Sequence, residues 1–395
     1  MWSILLYFHS FGQLVWFSTA DSRMPLYPNK NWNKAFCHDT LLQMLQKLRL
    51  QNFRNFDEKL LEFNDGVTVI VGPNASGKTN ILESIFLMAT GKSFKARLEE
   101  EMIQNSEELA RAKARITPLR SEASEGQADL EIILTRGSLE GVTGKVSRKK
   151  FLVQGVSKRM IDFAGNFKAV LFGPWDMELV TESPSIRRKF LDFVLIQVDR
   201  EYRRSVLSYE KGLRQRNRLL FRIREEGLSR GQLLFWDKLL IKNGDYISNK
   251  RAEFIEYVNN TKSVNELNYK LEYDKSAISE GRLEQYANEE VAAATTLVGP
   301  HRDDFMFKSD TRELARFGSR GEQRMSVLWL KLAEMSYIEE KSGDKPTLLL
   351  DDIFSELDHP HRDQVMKVAK LQQTIITTAD PHFIVDKKHT RRIEL

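Results

Sequence analysis

At 395 residues the chain is long enough to bury a large core, in two or three domains or in one core carrying an inserted subdomain. With 29% charged and 41% hydrophobic residues and a formal charge of +5, it has the make-up of a mildly basic globular protein. That permits a nucleic-acid partner without requiring one, so the placement of charge matters more than its total. The single cysteine, Cys37, excludes an internal disulfide and a cysteine-cluster metal site, and suits a reducing, cytoplasmic compartment.

Residues 1–43 differ from the rest. Positions 2–17 are apolar and aromatic, but His9, Ser10, Gly12 and Gln13 interrupt them. The stretch is too short and broken to span a membrane, and it lacks the positive start of a signal peptide. It reads as an extension, disordered or lying upstream of the true start, with ordered patterning from Met44 onward.

Residues 48–53 alternate apolar and polar, as a half-buried strand does, and 59–63 read as a second strand beyond the turn at Asn55-Phe56. Asp65-Gly66 is a hairpin-type turn. Residues 67–71 form a β-branched run suited to a strand buried on both faces. A glycine-rich loop follows, then an apolar helix over 79–90. Residues 99–115 are rich in charge and read as helix, and 130–136 and 150–153 as strands of a second, mostly antiparallel layer. Long helical patterns cover 185–226 and 233–259, and 267–273 alternate like a strand. A helix opens at Gly318 and runs to about 341, and two buried strands occupy 347–350 and 373–378. Strands and helices alternate near both ends, with a helical insertion between. The expected fold is therefore α/β, with residues 44–180 as a first lobe, 181–280 as a helical arm and 281–395 returning to the core.

Gly72, Pro73, Asn74, Ala75, Ser76, Gly77, Lys78 and Thr79 fit the pattern G-x-x-x-x-G-K-[ST] between a buried strand and a helix. Glycines let backbone N–H groups curl around a phosphate, and the helix that follows aims its positive end at the same anion. Lys78 is expected on the β- and γ-phosphates of ATP, and the Thr79 hydroxyl on Mg2+. Such a loop needs a carboxylate from a second strand. Leu348, Leu349 and Leu350 lead into Asp351 and Asp352 at a sheet's carboxyl edge. Asp351 is expected to hold Mg2+, and Asp352 to orient or deprotonate the attacking water. Upstream, Ser319, Gly321 and Gln323 lie at the head of a helix, where a serine and a glycine make a second anion site or an ordinary cap.

The stretch from Ser319 to Gln323 resembles the signature of ABC-type ATPases, in which that site reads the γ-phosphate held by the other subunit. Ser355-Glu356-Leu357-Asp358 resembles their loop after the acidic strand. The resemblance implies an ABC-type P-loop ATPase head with an inserted helical arm subdomain. Several stretches are more specifically similar to the RecF family. They are residues 48–56, in which Arg54 and Asn55 are implied near the nucleotide, the helix beginning Asn80-Ile81-Leu82-Glu83, residues 172–177 and 183–192, and Gly299-Pro300-His301-Arg302-Asp303-Asp304. Membership implies an ATP-dependent homodimer that binds DNA, double-stranded and at gaps or single-strand/double-strand junctions. It also implies cooperation with RecR and help in loading RecA. Two departures from ABC ATPases at large, Asp352 where most carry Glu and Thr377-Thr378 where a switch histidine is expected, imply slow hydrolysis.

Independently of the resemblance, basic residues crowd the arm, among them Arg203, Arg204, Arg214, Arg216 and Arg218. They form a candidate DNA-phosphate face or a solvated helix surface. Three rival readings remain: another SMC-like ATPase of DNA metabolism, a P-loop kinase, which leaves residues 319–323 idle, and a transporter ATPase, which leaves the basic arm without purpose.

Overall fold

The computed structural model describes residues 44–117, 127–138, 141, 144–262, 267–355, 359–380, 382 and 390–395, all within one unit, residues 39–395. In chain order, β1 (Met44–Phe53), β2 (Phe56–Glu62) and β3 (Val67–Val71) lead to α1 (Lys78–Thr90). β4 (Leu109–Thr117), β5 (Ala128–Thr135), β6 (Lys149–Val153) and β7 (Val156–Lys158) follow, then α2 (Met160–Phe163) and β8 (Ala169–Phe172). The helical stretch comprises α3 (Glu178–Thr181), α4 (Pro184–Val198), α5 (Arg200–Glu226) and α6 (Leu234–Asn259). Beyond it lie β9 (Tyr269–Asp274), α7 (Glu280–Gln285), α8 (Ala287–Ala293), β10 (Asp304–Ser309), β11 (Arg312–Glu313) and α9 (Leu314–Phe317). The chain closes with α10 (Arg320–Ser342), β12 (Thr347–Asp351), α11 (His359–Ala369), β13 (Thr374–Thr378) and β14 (Thr390–Glu394).

Two sheets make the head. One is antiparallel, in the order β2-β1-β4-β5-β6-β7, and the other is parallel, in the order β14-β3-β13-β12-β8. The parallel strands β3, β8, β12 and β13 are buried at every position, as strands covered on both faces must be. α1 lies between the sheets, with Ile81, Leu82, Ile85, Leu87 and Met88 removed from solvent. A third sheet, β11-β10-β9, packs beside the arm helices.

Residues 99–115 do not form the expected helix. A short 3-10 turn spans Glu99–Met102, and β4 begins at Leu109. Alanine, arginine and lysine favour helix individually, but Ala110, Ala112, Ala114 and Ile116 alternate strictly with Arg111, Lys113 and Arg115. The period of two places the small residues inward and the cations outward, and it outweighs propensity. The helical run over 185–226 is likewise two helices. Asp199 ends α4 in extended conformation, and its carboxylate accepts the Tyr202 amide at 2.9 Å, capping α5.

Candidate nucleotide site

The order of the parallel sheet builds this site. β3 delivers the phosphate loop, β12 ends in Asp351, and β13 lies between them. Thr79, at the start of α1, donates its hydroxyl to Asp351 Oδ2 at 2.7 Å. Thr377 of β13 donates to the other carboxylate oxygen, Asp351 Oδ1. Asp351 is thus held from both sides at the sheet's carboxyl edge, the side chain almost fully buried.

The loop is tightly wound. Gly77 has φ of +102°, and a Cβ there would lie 2.6 Å from Phe56 Cζ and 2.7 Å from the Asn55 amide, so only glycine fits. Lys78 folds back, donating to the carbonyls of Gly72 at 2.7 Å and Pro73 at 2.9 Å. These are bonds an arriving phosphate would replace. Ser76 Oγ is buried without a hydrogen-bond partner among the described residues. Inside a loop of converging N–H groups, an orphaned hydroxyl fits a ligand oxygen. Pro73, Asn74 and Ala75 are exposed at the mouth. Thr79 and Asp351 suit Mg2+, which takes one or two protein oxygens and fills the rest of its octahedron with phosphate and water. No cluster of three or more His, Cys, Asp or Glu side chains able to hold a metal ion occurs among the described residues.

Asn55 belongs to this site and Arg54 supports it from behind. The two sit in the β1–β2 turn, Arg54 with φ of +57°. Asn55 donates to the Ser76 carbonyl at 3.2 Å and accepts from Asn80 at 2.8 Å. Arg54 grips the buried carboxylate of Glu83 on α1 through two bonds of 2.6 and 2.8 Å, fixing the helix that carries Lys78 and Thr79. Asp352 follows β12 with a left-handed backbone, φ +50°, its N–H bound to the Thr377 carbonyl at 3.1 Å. Burial, and then the neighbouring Asp351 carboxylate, raise the affinity of Asp352 for a proton, which suits a base.

The candidate signature residues separate. Ser319 caps α10: its hydroxyl accepts the Glu322 amide at 3.2 Å, and Glu322 accepts the Ser319 amide at 2.8 Å. Ser319 and Gly321 are exposed at the helix's positive end. Gln323 is not presented there. It is buried and donates to the Leu314 carbonyl at 2.8 Å, because the fourth position past the cap turns toward the core. Residues 356–358 of the expected loop after the acidic strand lie outside the described residues.

The arm arginines also divide. Arg203 is buried and donates to the carbonyls of Ile161 at 2.9 Å and Ile196 at 2.5 Å. Arg216, 2% exposed, is clamped by Asp237 and Glu290, each at 2.7 Å. The expectation that these two meet DNA is corrected: they are internal ties. Their guanidinium groups are drawn inward by carbonyls and carboxylates that only the folded arm brings close. Arg204 is exposed but paired with Glu201. Arg214 and Arg218 are exposed, on the same face of α5 as Lys211. Sequence reading gave Thr377 only as standing where a switch histidine is expected and Glu83 only within a family-like helix. It missed their bonds to Asp351 and Arg54, because a threonine in a buried strand and a glutamate in an amphipathic helix carry no local mark of their partners.

A parallel sheet with a phosphate loop, an acidic strand two places away and a capped second helix end defines an ATPase head of the SMC and ABC kind. The family model described as the RecF/RecN/SMC N-terminal domain matches residues 44–394. Among curated relatives, the DNA replication and repair protein RecF of Herpetosiphon aurantiacus is 36% identical over 361 residues, covering 85% of this chain and 93% of the relative. RecF of Lachnoclostridium phytofermentans is 34% identical over 362 residues, covering 89% and 97%. A solved structure of the recombination mediator protein RecF-ATP in the RecFOR pathway superposes with a TM-score of 0.79 at 31% identity, covering 88% of this chain and 95% of that one. This chain belongs to the RecF family.

Proposed function

We propose that this protein is an ATP-dependent DNA-binding protein of recombinational repair and replication maintenance. It closes as an ATP-induced homodimer on duplex DNA at gaps and single-strand/double-strand junctions, hydrolyses ATP slowly, and works in the cytoplasm with RecR to load RecA. The observation that carries the reading is the Thr79–Asp351 bond of 2.7 Å beside the folded-back Lys78. The printed names of its relatives, DNA replication and repair proteins, support the placement in DNA repair and replication.

In this reading the loop from Gly72 to Thr79 cradles the phosphates, and Lys78 turns from its carbonyls to the β- and γ-oxygens. Mg2+ on Thr79 and Asp351 would neutralise phosphate charge. Asp352 takes a proton from the attacking water, and Asn55 walls the loop. Ser319 and Gly321 at the head of α10 meet the γ-phosphate bound to the second copy. Residues 44–180 hold the nucleotide, 181–280 form the arm bearing the DNA-facing charge, and 281–395 bring the signature helix and acidic strand. No helix among the described residues is long and apolar enough to cross a membrane.

Ser319→Arg tests this reading. ATP binding to the single chain should persist, while ATP-induced dimer mass and hydrolysis are lost, because a bulky cation occupies the space for phosphate. A variant that dimerises with ATP and hydrolyses it normally would favour the kinase alternative.

A further inference from the structure

On α5, Arg214, Arg218 and Phe221 are spaced i, i+4 and i+7 and share one face, with Lys211 one turn before them. The face thus changes from cation to aromatic ring five residues before the helix end at Glu226. Phe221 is 50% exposed, and the Arg224 guanidinium stands 5.4 Å from its ring centre. Across the hairpin, at the start of α6, Phe235 is 65% exposed and packs edge-on against Trp236 at 4.9 Å. Leu234 beside it is 63% exposed. Large apolar side chains are rarely left this open in a cluster unless something covers them. The flanking charge selects the partner. Arg222 and Arg224 are paired with Glu226 and Glu225, while Arg218, Arg230 and Lys238 are exposed on the same hairpin, the last two in a groove with Leu234 that Glu280 and Glu284 also line. A protein segment without acidic residues would match the apolar groups but not the cations. A nucleic-acid strand with unstacked bases matches both, the cations on its phosphates and the ring faces on its bases.

We infer that the tip of the α5–α6 hairpin is a base-stacking site for single-stranded DNA, with Phe221 and Phe235 as the platforms, set at the end of the phosphate-tracking stripe of Lys211, Arg214 and Arg218. The inference rests on the DNA reading of the arm and deepens it. Duplex lies along the cationic stripe, and the first unpaired bases beyond the junction stack at the tip. Preference for a junction over plain duplex thereby resides in aromatic rings rather than in charge.

The test uses the full chain with ATP, and Phe221→Ala/Phe235→Ala beside the wild type. Both rings are exposed, so the variant keeps its core. Binding is followed by anisotropy on a duplex and on the same duplex with a single-stranded tail, with 2-aminopurine at the first unpaired position reporting stacking. The wild type should prefer the tailed duplex and shift the 2-aminopurine emission. In the variant that preference should fall about tenfold or more and the emission shift should vanish, while plain-duplex affinity and its salt slope stay unchanged. Unchanged junction preference and emission would overturn the inference and leave the tip to a protein partner, with the DNA reading intact. Equal loss on both DNAs would also overturn it, since the rings would then serve all binding alike. Wild-type protein with no affinity for either DNA would instead defeat the underlying reading.

Discussion

Lys78 is buried, and its ammonium braces two carbonyls of its own loop before any phosphate arrives. Lys78→Ala should therefore remove measurable ATP affinity and also loosen the loop. The effect on unfolding free energy should be about 1–3 kcal/mol, since the buried Gly72 carbonyl loses its donor while the Pro73 carbonyl can turn to water. Isothermal titration and thermal melts separate the two effects. The buried arginines behave differently. Arg216→Ala leaves Asp237 and the buried Glu290 without their cation, and should cost about 3–5 kcal/mol in a denaturant titration. The hallmark at residues 299–304 resolves in the same terms. Asp303, fully buried, accepts from Ser248, Arg251, Tyr273 and the Ser276 amide, and Arg251 also reaches Asp192 and the Pro300 carbonyl. His301 accepts from Tyr209 and donates to the Thr296 carbonyl, and burial lowers its pKa to about 4, so it stays neutral. The family-like motif is a structural knot tying α4 and α6 to β9 and β10.

Among the elements, α10 carries the signature end outside and a buried charge triad inside. Lys331 lies 3.1 Å from both Asp176 and Glu334, and all three are buried. Burial raises the Glu334 pKa from 4.5 to about 7, with Lys331 opposing. The folded state therefore holds this proton more tightly than the unfolded chain does. Its stabilising contribution is complete below 4.5 and is lost as pH rises to about 7. Glu334→Gln removes that slope, so relative to wild type the variant's melting temperature should rise between pH 5 and pH 8. Parallel curves for the two proteins would refute the assignment. On α5 the exposed stripe makes a separate prediction. Arg214→Ala/Arg218→Ala should weaken DNA binding for all sequences alike and flatten the log–log salt dependence by up to ~2. The Arg203→Ala change should leave that slope alone and lower stability instead, because Arg203 ties α5 to the Ile161 carbonyl of the head and the Ile196 carbonyl of α4.

At the scale of the whole molecule, the phosphate loop and Ser319 belong to different faces of the proposed dimer. Mixing Ser319→Arg protein with Lys78→Ala protein should then restore at most one composite site per dimer. ATP-induced dimer mass and hydrolysis, measured across mixing ratios, should peak at equal amounts and reach no more than about half of wild type. Activity that only declines on mixing would place both residues in one self-contained site.

By itself the sequence determined the phosphate loop, the acidic strand, the α/β alternation and the family. Each rests on a contiguous pattern whose chemistry is local: glycines for a tight loop, three leucines before a carboxylate, period two against period 3.6. The tertiary structure decided which charges are free. Arg203 and Arg216 share their helix and composition with Arg214 and Arg218, yet only the packing of α4, α6 and α8 against α5 buries two of them and leaves the others in water. It likewise decided that 109–117 is a strand, since β1 and β5 supply the ladder that alanine-rich sequence alone does not require. It also set Thr377 and Glu83 against Asp351 and Arg54. Contacts between residues far apart in the chain leave no trace in spacing, and those contacts hold this site in place.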